Sequence, residues 1–384
     1  AAACSVGFGG LAEALFKMGL GNRIGFKMMA DKSTGEMFEP MYGSIVLEMV
    51  SDSPAGELLG ETTKEYTFES CGETLDMAEL QEIWESKLEP VYPYRKAGPT
   101  VEKINGKLNA PAAPKIGVAK PKVIIPVFPG TNCEYDTAKA FARAGADPEI
   151  LVIRNLTPAD VTASCEALVK AIGESQIVML PGGFSGGDEP DGSAKFIASF
   201  FRSPAVTEAV RRLLQQRDGL MLGICNGFQA LIKLGLVPYG DIRPITACDP
   251  TLTFNTISRH QSRLVRTRIA SNRSPWLAGT QVGDIYTVPI SHGEGRFLAS
   301  KELVKKLAEN GQIATQYVDL DGCATMDAAF NPNGSICAIE GITSPDGRVL
   351  GKMGHTERIG KNLYRNVPGQ YEMELFTSAV RYFK

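Results

Sequence analysis

The stretch LMLGICNGFQALIKLG, residues 220–235, decides the fold that we predict for this chain. The apolar run LMLGI predicts a buried strand, and NGFQALIKLG predicts a helix that begins directly after Cys225. Upstream, the runs VIIPVF, EILVIR and IVML alternate with helix-like segments such as YDTAKAFARAGA. This alternation is typical of parallel strands covered on both faces by helices. We therefore predict a three-layer α/β domain with a parallel sheet, which the more β-like segments after Leu252 extend or flank.

Residues 91–121 mark a domain boundary, because proline, glycine, alanine and lysine replace the periodic apolar pattern there. We predict a linker at 91–121, one complete domain at 122–384 and a separate piece at 1–90. The piece contains an amphipathic helix, a strand and a second, charged helix. It is short and begins within a pattern, which we interpret as part of a larger domain.

The composition is that of a folded, water-soluble chain: of 384 residues, 43% are hydrophobic and 22% are charged. The net charge of −3 offers no cationic surface to a nucleic acid, so we expect no nucleic-acid partner. No apolar run approaches the about 18 residues of a membrane span, and no signal-peptide pattern is present. We therefore expect a cytoplasmic protein with no membrane partner. The eight cysteines lack a metal-binding spacing, so we predict no metal site and interpret most of them as inert thiols.

Cys225 is the first candidate for chemistry, because it lies where a predicted strand meets a predicted helix. Gly223 and Gly227 reproduce the spacing of a nucleophile elbow, in which close backbone segments favour glycine on both sides of the nucleophile. The free amides and dipole of a helix N-terminus favour a thiolate there. The alternative, a structural cysteine that ends a core strand, does not account for the two glycines. We predict that Cys225 is a nucleophile.

Three histidines compete for the role of general base. His355 and Glu357 are two residues apart, and on an extended segment they point to the same side, so the carboxylate can orient the imidazole. His292 is the rival base, although its neighbour Glu294 lies between glycines that indicate a backbone-binding loop. His260 lies in a polar, basic stretch and is interpreted as a solvated surface residue.

Donors for an oxyanion are predicted from the loop PGGFSGGD, residues 181–188, which follows the third predicted strand. Such loops meet the nucleophile at the carboxyl ends of parallel strands. The amide of Asn226, with that of Gly182 or Gly183, can form the oxyanion hole. A phosphate-binding loop is disfavoured, because the motif lacks a Walker ending and Asp188 would repel phosphate.

The motifs PGGFSGGD, GICNGFQ, SHGEGRF and GHTER together resemble the class I (triad) glutamine amidotransferases, in the form found in phosphoribosylformylglycinamidine synthases of purine biosynthesis. The resemblance spans residues 122–384 and implies a flavodoxin-like three-layer fold. It implies that Cys225 attacks the glutamine carboxamide, that His355 is the general acid and base, and that Glu357 orients it. Many relatives carry proline between the histidine and the glutamate, where this chain has Thr356; the spacing survives that change.

The resemblance also implies a glutamine site. Gln229 would contact the substrate, and Ser291 and Gly293 would bind its α-amino and carboxylate groups, which removes His292 from catalysis. The segments GGLAEALFKMGLGNRIGF and YGSIVLEM resemble the end of the synthase portion, an aminoimidazole ribonucleotide synthetase-like subdomain. In the intact synthase, ATP and magnesium activate formylglycinamide ribonucleotide, and ammonia from the glutaminase converts it to the amidine. The glutaminase step itself is expected to need no cofactor.

Two other function classes compete with the glutaminase. A cysteine peptidase or hydrolase of a related fold also pairs a cysteine at a strand end with a histidine, although Gln229 and SHGEGRF argue against it. A docking module with a vestigial triad is the third possibility. Formation of a thioester from glutamine but not from peptides separates the first two classes, and an inert Cys225 would favour the third.

Overall fold

The chain folds into two compact units in the structure, a computed structural model. The first unit is Ala1–Pro93 with Gly360–Pro368, and the second is Tyr94–Ile359 with Gly369–Lys384. The structure describes residues 2–51, 56–70, 72–91, 96–106, 114, 117–185, 194–365 and 367–384. No helix in these ranges is both long enough and apolar enough to cross a membrane.

The first unit combines short strands with two helices and one single turn of helix. Its elements are β1 (Ala2–Ser5), α1 (Gly10–Leu20), β2 (Gly25–Met28), α2 (Thr34–Met37), β3 (Ile45–Glu48), β4 (Gly60–Thr63), β5 (Thr67–Ser70), β6 (Glu73–Asp76) and α3 (Met77–Ser86). One sheet has the order β4-β2-β5-β6, and β1 pairs with β3. The predicted apolar face of α1 is buried at Leu11, Ala14 and Leu15, where it packs in a small core with Phe68 and Met77.

The second unit is built on a mixed sheet. Its strands are β7 (Lys122–Val127), β8 (Asp147–Val152), β9 (Ile177–Leu180), β10 (Leu220–Ile224), β11 (Thr251–Phe254), β12 (Gln261–Ile269), β13 (Ile285–His292), β14 (Glu294–Leu298), β15 (Ile313–Val318), β16 (Ile339–Thr343) and β17 (Val349–Lys352). Its helices are α4 (Glu134–Ala144), α5 (Pro158–Glu174), α6 (Lys195–Phe201), α7 (Pro204–Gln216), α8 (Asn226–Leu234), α9 (Leu236–Tyr239), α10 (Lys301–Glu309) and α11 (Leu375–Tyr382).

The prediction of a parallel sheet is correct for only one half of this sheet. The described strands follow the order β13-β12-β15-β16-β17-β10-β9-β7-β8. From β8 to β17 neighbouring strands are parallel, whereas from β17 to β13 they are antiparallel. The connection from β16 to β17, residues 344–348, is too short for the crossover that a parallel neighbour needs, so the chain turns back on itself. The β-like segments after Leu252 thus extend the sheet in the opposite sense.

Several residues of the segment predicted as a linker pair with the second unit. Thr100 forms a β-bridge with Thr325, and the amide of Gly106 donates to the carbonyl of Ala270 at 2.7 Å. The buried guanidinium of Arg268 donates to the carbonyl of Ile104 at 2.7 Å. Hydrogen bonds therefore hold residues 100–106 to the rest of the second unit.

The parallel half of the sheet positions the site. Strands β7, β9, β10 and β17 all run in the same direction, so their carboxyl ends lie at one edge. The chain segments that follow these strands carry the candidate residues of the sequence analysis. Ile124, Val178 and Leu222 in these strands are fully buried, so close packing holds the strands in a fixed arrangement.

Candidate active site

Cys225 occupies a strained corner between β10 and α8. Its φ of 53° and ψ of −106° lie outside the regions that side-chain-bearing residues normally adopt. Two hydrogen bonds hold this conformation: the Cys225 amide donates to the carbonyl of Lys352 at 2.9 Å, and the Gln229 amide donates to the carbonyl of Cys225 at 3.1 Å. A residue kept in such a conformation by its surroundings is typical of a nucleophile elbow.

The two glycines that bracket Cys225 are required by close backbone approach. A β-carbon on Gly223 would lie 2.6 Å from the carbonyl carbon of Gly227. A β-carbon on Gly227 would collide with the carbonyl oxygen of Leu180 on the neighbouring strand. The corner therefore forms only when both positions lack a side chain, as the sequence predicts.

His355 and Glu357 form a buried pair beside this corner. Nδ1 of His355 lies 2.6 Å from Oε1 of Glu357, and the two side chains are 3% and 0% exposed. Burial disfavours the imidazolium, but the charges of Glu357 and Cys225, with hydrogen bonds to Cys133 and Cys225, outweigh it and hold the pKa of His355 well above its usual value. Because Nδ1 faces the carboxylate, Nε2 is left for the thiol of Cys225.

A second cysteine, Cys133, lies in the same site and was missed by the sequence analysis. Its sulfur is 3.8 Å from Nδ1 of His355 and donates to Oδ1 of Asn132 at 3.0 Å. Burial raises the pKa of the Cys133 thiol despite the opposing effect of His355. The signal that could have found it is the loop PGTNCE, which follows β7 as PGGFSGGD follows β9.

The same cluster is a possible metal site. One ligand atom from each of Cys133, His355 and Glu357 lies within 4.8 Å of the other two, and all three residues are buried. A thiolate, an imidazole and a carboxylate form a donor set that suits zinc. A metal bound there would take the imidazole nitrogen that now faces Glu357.

The glycine loop after β9 packs directly against the imidazole. A β-carbon on Gly182 would lie 2.6 Å from Cε1 of His355 and 3.1 Å from the sulfur of Cys133. Gly183 approaches the loop after β7, where a β-carbon would lie 2.5 Å from the carbonyl oxygen of Gly130. Residues 186–188 of the motif, including Asp188, lie outside the described residues.

A buried chain of side-chain hydrogen bonds joins this loop to the segment SHGEGRF. Ser185 Oγ donates to Oδ1 of Asn226 at 2.6 Å, and Nδ2 of Asn226 donates to Oε1 of Gln229 at 2.9 Å. Nε2 of Gln229 then donates to the carbonyl of Glu294 at 2.6 Å. Gln229 is 5% exposed, so in this structure its amide ties α8 to the start of β14, and its contact with a substrate stays a prediction.

The end of β13 and the turn that follows it lie next to the nucleophile. The carbonyl of Ser291 lies 3.9 Å from the sulfur of Cys225, and the carbonyl of Gly293 accepts from the amide of Asn255 at 2.9 Å. His260 is exposed at the surface, as predicted, and its Nε2 lies 2.9 Å from Oγ of Ser291. It thereby joins the rim of the site.

His292 is unsuited to act as the base. Burial and the nearby charges of His355 and His260 lower its pKa to about 3. Neither ring nitrogen has a hydrogen-bond partner among the described residues. The imidazole is therefore neutral near pH 7, and the contacts of its backbone, not of its ring, shape the site.

Comparison with known proteins decides the family. Residues 120–383 match the model of the CobB/CobQ-like glutamine amidotransferase domain. The chain belongs to that family. Its amidotransferase domain is 34% identical over 260 residues to the phosphoribosylformylglycinamidine synthase subunit PurQ of Methanococcus maripaludis strain C5. That alignment covers 66% of this chain and 88% of the relative. The protein of that name from Chlorobaculum tepidum is 36% identical over 246 residues, or 64% of this chain and 92% of the relative.

A solved structure gives a further match. A chain in the structure of PurLQS from Thermotoga maritima is 24% identical to this chain, with a TM-score of 0.49. The match covers 69% of this chain and the whole of that chain.

The amidotransferase domain thus brings most of the predicted residues together. His355 contacts Cys225, Glu357 and Gly182. The carbonyl of Ser291 lies 3.9 Å from the sulfur of Cys225. The carbonyl of Gly293 accepts from the amide of Asn255, and its contact with a substrate stays a prediction. The arrangement provides a thiol, a proton carrier and an orienting carboxylate in the order that thioester chemistry needs.

Proposed function

We propose that this chain carries the glutaminase activity of a phosphoribosylformylglycinamidine synthase, hydrolysing glutamine to glutamate and ammonia. The observation that carries the proposal is the buried Cys225–His355–Glu357 arrangement within a glutamine amidotransferase domain. Relatives at 34–36% identity bear the name of that synthase's subunit PurQ, which supports the choice among amidotransferases.

In the proposed reaction, the thiolate of Cys225 attacks the carboxamide carbon of glutamine. The amide of Asn226 and one from Gly182 or Gly183 stabilise the oxyanion. The raised pKa of His355 keeps it protonated near neutral pH, so it can protonate the departing ammonia. The thioester that remains is hydrolysed by water, which the now neutral imidazole activates, and glutamate leaves.

The proposed partner is a synthase portion that consumes the ammonia. That portion would bind formylglycinamide ribonucleotide and use ATP and magnesium, whereas the glutaminase step of this chain needs no cofactor. The support is the printed name of the relatives, which describes a subunit of the synthase. Glutamine hydrolysis by the chain alone is expected to be slower than in the assembled enzyme.

We also propose that residues 1–90 are the end of the synthase portion, an aminoimidazole ribonucleotide synthetase-like subdomain. The support is apolar surface in the first unit: Leu47 is 56% exposed, Ile83 61% and Trp84 51%. Large apolar side chains exposed in this way can be covered by another part of a protein. Replacing Leu47 and Ile83 by lysine should weaken binding of the chain to a separately supplied synthase portion, measured by calorimetry; unchanged binding would contradict the proposal.

The deciding experiment is the reaction of the full chain with glutamine and with a glutamine-like chloroketone. Mass spectrometry should find the adduct on Cys225, and Cys225→Ala should lose both the adduct and glutamine hydrolysis. Cys165→Ala is the matched control, because Cys165 is a half-buried thiol on α5 whose sulfur faces Ser203 at 3.6 Å, away from the site. A wild-type Cys225 that stays unmodified would refute the proposal, and acylation by peptides would favour a peptidase.

A further inference from the structure

A buried ion pair lies next to the segment that carries His355. Nζ of Lys352, at the end of β17, is 3.3 Å from Oε1 of Glu340 on β16, and the side chains are 1% and 0% exposed. Charges are costly to bury, so a pair that is this deeply enclosed needs several further hydrogen bonds. Oε2 of Glu340 accepts one of them from the hydroxyl of Thr315.

The remaining hydrogen bonds of the pair converge on a single residue, Gly354. Its amide donates to Oε1 of Glu340 at 2.6 Å, and its carbonyl accepts from Nζ of Lys352 at 2.9 Å. The amide of Gly354 is therefore bound by a negative charge, and its carbonyl by a positive charge. Because the carbonyl of Gly354 belongs to the peptide bond that leads into His355, this clamp fixes the backbone on which the imidazole is mounted.

Lys352 also holds the nucleophile, through its backbone. Its carbonyl accepts from the amide of Cys225 at 2.9 Å, and the parallel register places it beside Ile224. Lys352 thus contacts the backbone of Cys225 through its carbonyl, and the backbone before His355 through its side chain. A third contact completes the support, since the amide of His355 donates to the carbonyl of Pro289 at 2.8 Å.

We infer that Lys352 and Glu340 are positioning residues that set the distance between the Cys225 thiol and the His355 imidazole. The inference rests on the proposed glutaminase function and extends it, because neither side chain contacts the reacting atoms. Gly354 is the third member of the device. A β-carbon there would lie 3.0 Å from Oε1 of Glu340, 3.1 Å from Nζ of Lys352 and 2.5 Å from Cγ1 of Val288, so the clamp closes only on a glycine.

The test compares Lys352→Met, Glu340→Gln and the double variant in the full chain. The measurements are the rate of Cys225 modification by the chloroketone, and kcat and KM for glutamine. Lys352→Met releases the carbonyl of Gly354, and a displacement of about 1 Å at the imidazole lowers the rate by about 10²-fold. We expect kcat and the modification rate to fall by about this factor while KM changes little.

The double variant separates positioning from stability. Lys352→Met alone leaves the carboxylate of Glu340 buried without its cation, which is destabilising, and the added Glu340→Gln removes that charge. Thermal unfolding should therefore recover in the double variant, whereas kcat should stay low because the donor to Gly354 is still missing. Arg268→Met is the matched control: it removes another buried cation of the same sheet, whose partners are Ile104, Asn105 and Gln316, and should lower stability but not kcat.

The outcomes are distinct. A double variant that is folded and retains wild-type kcat overturns the inference, as does a kcat that recovers in parallel with stability. A wild-type chain whose Cys225 does not react refutes the proposed function, and with it the inference. Reactive wild-type protein with a selective loss of kcat in both Lys352→Met variants supports both.

Discussion

Replacing Glu357 with glutamine tests how the buried carboxylate controls His355. The substitution preserves the shape of the side chain and removes its charge. The charge of Glu357 is the largest of the effects that raise the pKa of His355 against the cost of burial. Without it, the imidazole loses its proton at lower pH, and the amide of the variant can also present its NH₂ group to Nδ1 and favour the wrong tautomer.

The magnitude follows from the contact. A hydrogen bond to a charged group contributes about 1.5–3 kcal/mol, and the 2.6 Å separation between buried atoms places this one among the strong cases. That free energy corresponds to roughly a 10- to 150-fold loss in kcat/KM. Because the protonated imidazole is the form that releases ammonia, the fall of kcat/KM at high pH should move to lower pH in the variant.

The assay is the pH dependence of glutamine hydrolysis, with the rate of Cys225 modification as an independent readout. Asp346→Asn is the control, since Asp346 is another partly buried carboxylate whose bonds, to Ser344 and Arg348, lie in the turn before β17. It should cost stability and leave the pH profile unchanged. A folded Glu357→Gln variant with kcat/KM within about twofold of wild type and the same high-pH fall would refute the reasoning.

Three further predictions concern the shape of the site. Gly182→Ala places a methyl group 2.6 Å from Cε1 of His355, so the imidazole or the loop must shift; kcat should fall by about 10²-fold, and unchanged kinetics in a folded variant would contradict the contact. Gly227→Ala forces the elbow away from Leu180 and should cost at least about 1–3 kcal/mol in urea unfolding; an unchanged midpoint would contradict the packing argument. Zinc should inhibit Cys225 modification, and Cys133→Ser should weaken that inhibition by about tenfold or more; equal sensitivity would show that Cys133 is not a ligand.

Local pattern was sufficient to predict the elbow. The strand LMLGI, the helix NGFQALIKLG and the two flanking glycines are neighbours in sequence, so their pattern can be recognised locally. The contact between His355 and Glu357 could likewise be predicted, because the two residues lie two positions apart in one short segment.

The antiparallel half of the sheet could not be predicted from the same pattern. An apolar run has the same appearance whether its neighbour is parallel or antiparallel. The pairing of β17 with β10 joins residues more than a hundred positions apart, whereas a short turn joins β17 to β16. Cys133 was missed for the same reason. Its loop follows β7, and only the register of the sheet brings that loop to the imidazole of His355.

The sequence by itself determined the α/β class of the second unit, the place of Cys225 between a strand and a helix, and the pairing of a histidine with a glutamate, because these depend on local pattern and spacing. Only the tertiary structure decided which side chains surround them. The approach of Cys133 to His355, and the hydrogen bond from the Cys225 amide to Lys352, arise from strands brought together across long separations. The clamp of Lys352 and Glu340 on Gly354 depends on how β17 folds back on β16. Long-range strand pairing leaves little trace in local pattern, and it is that pairing which assembles the site.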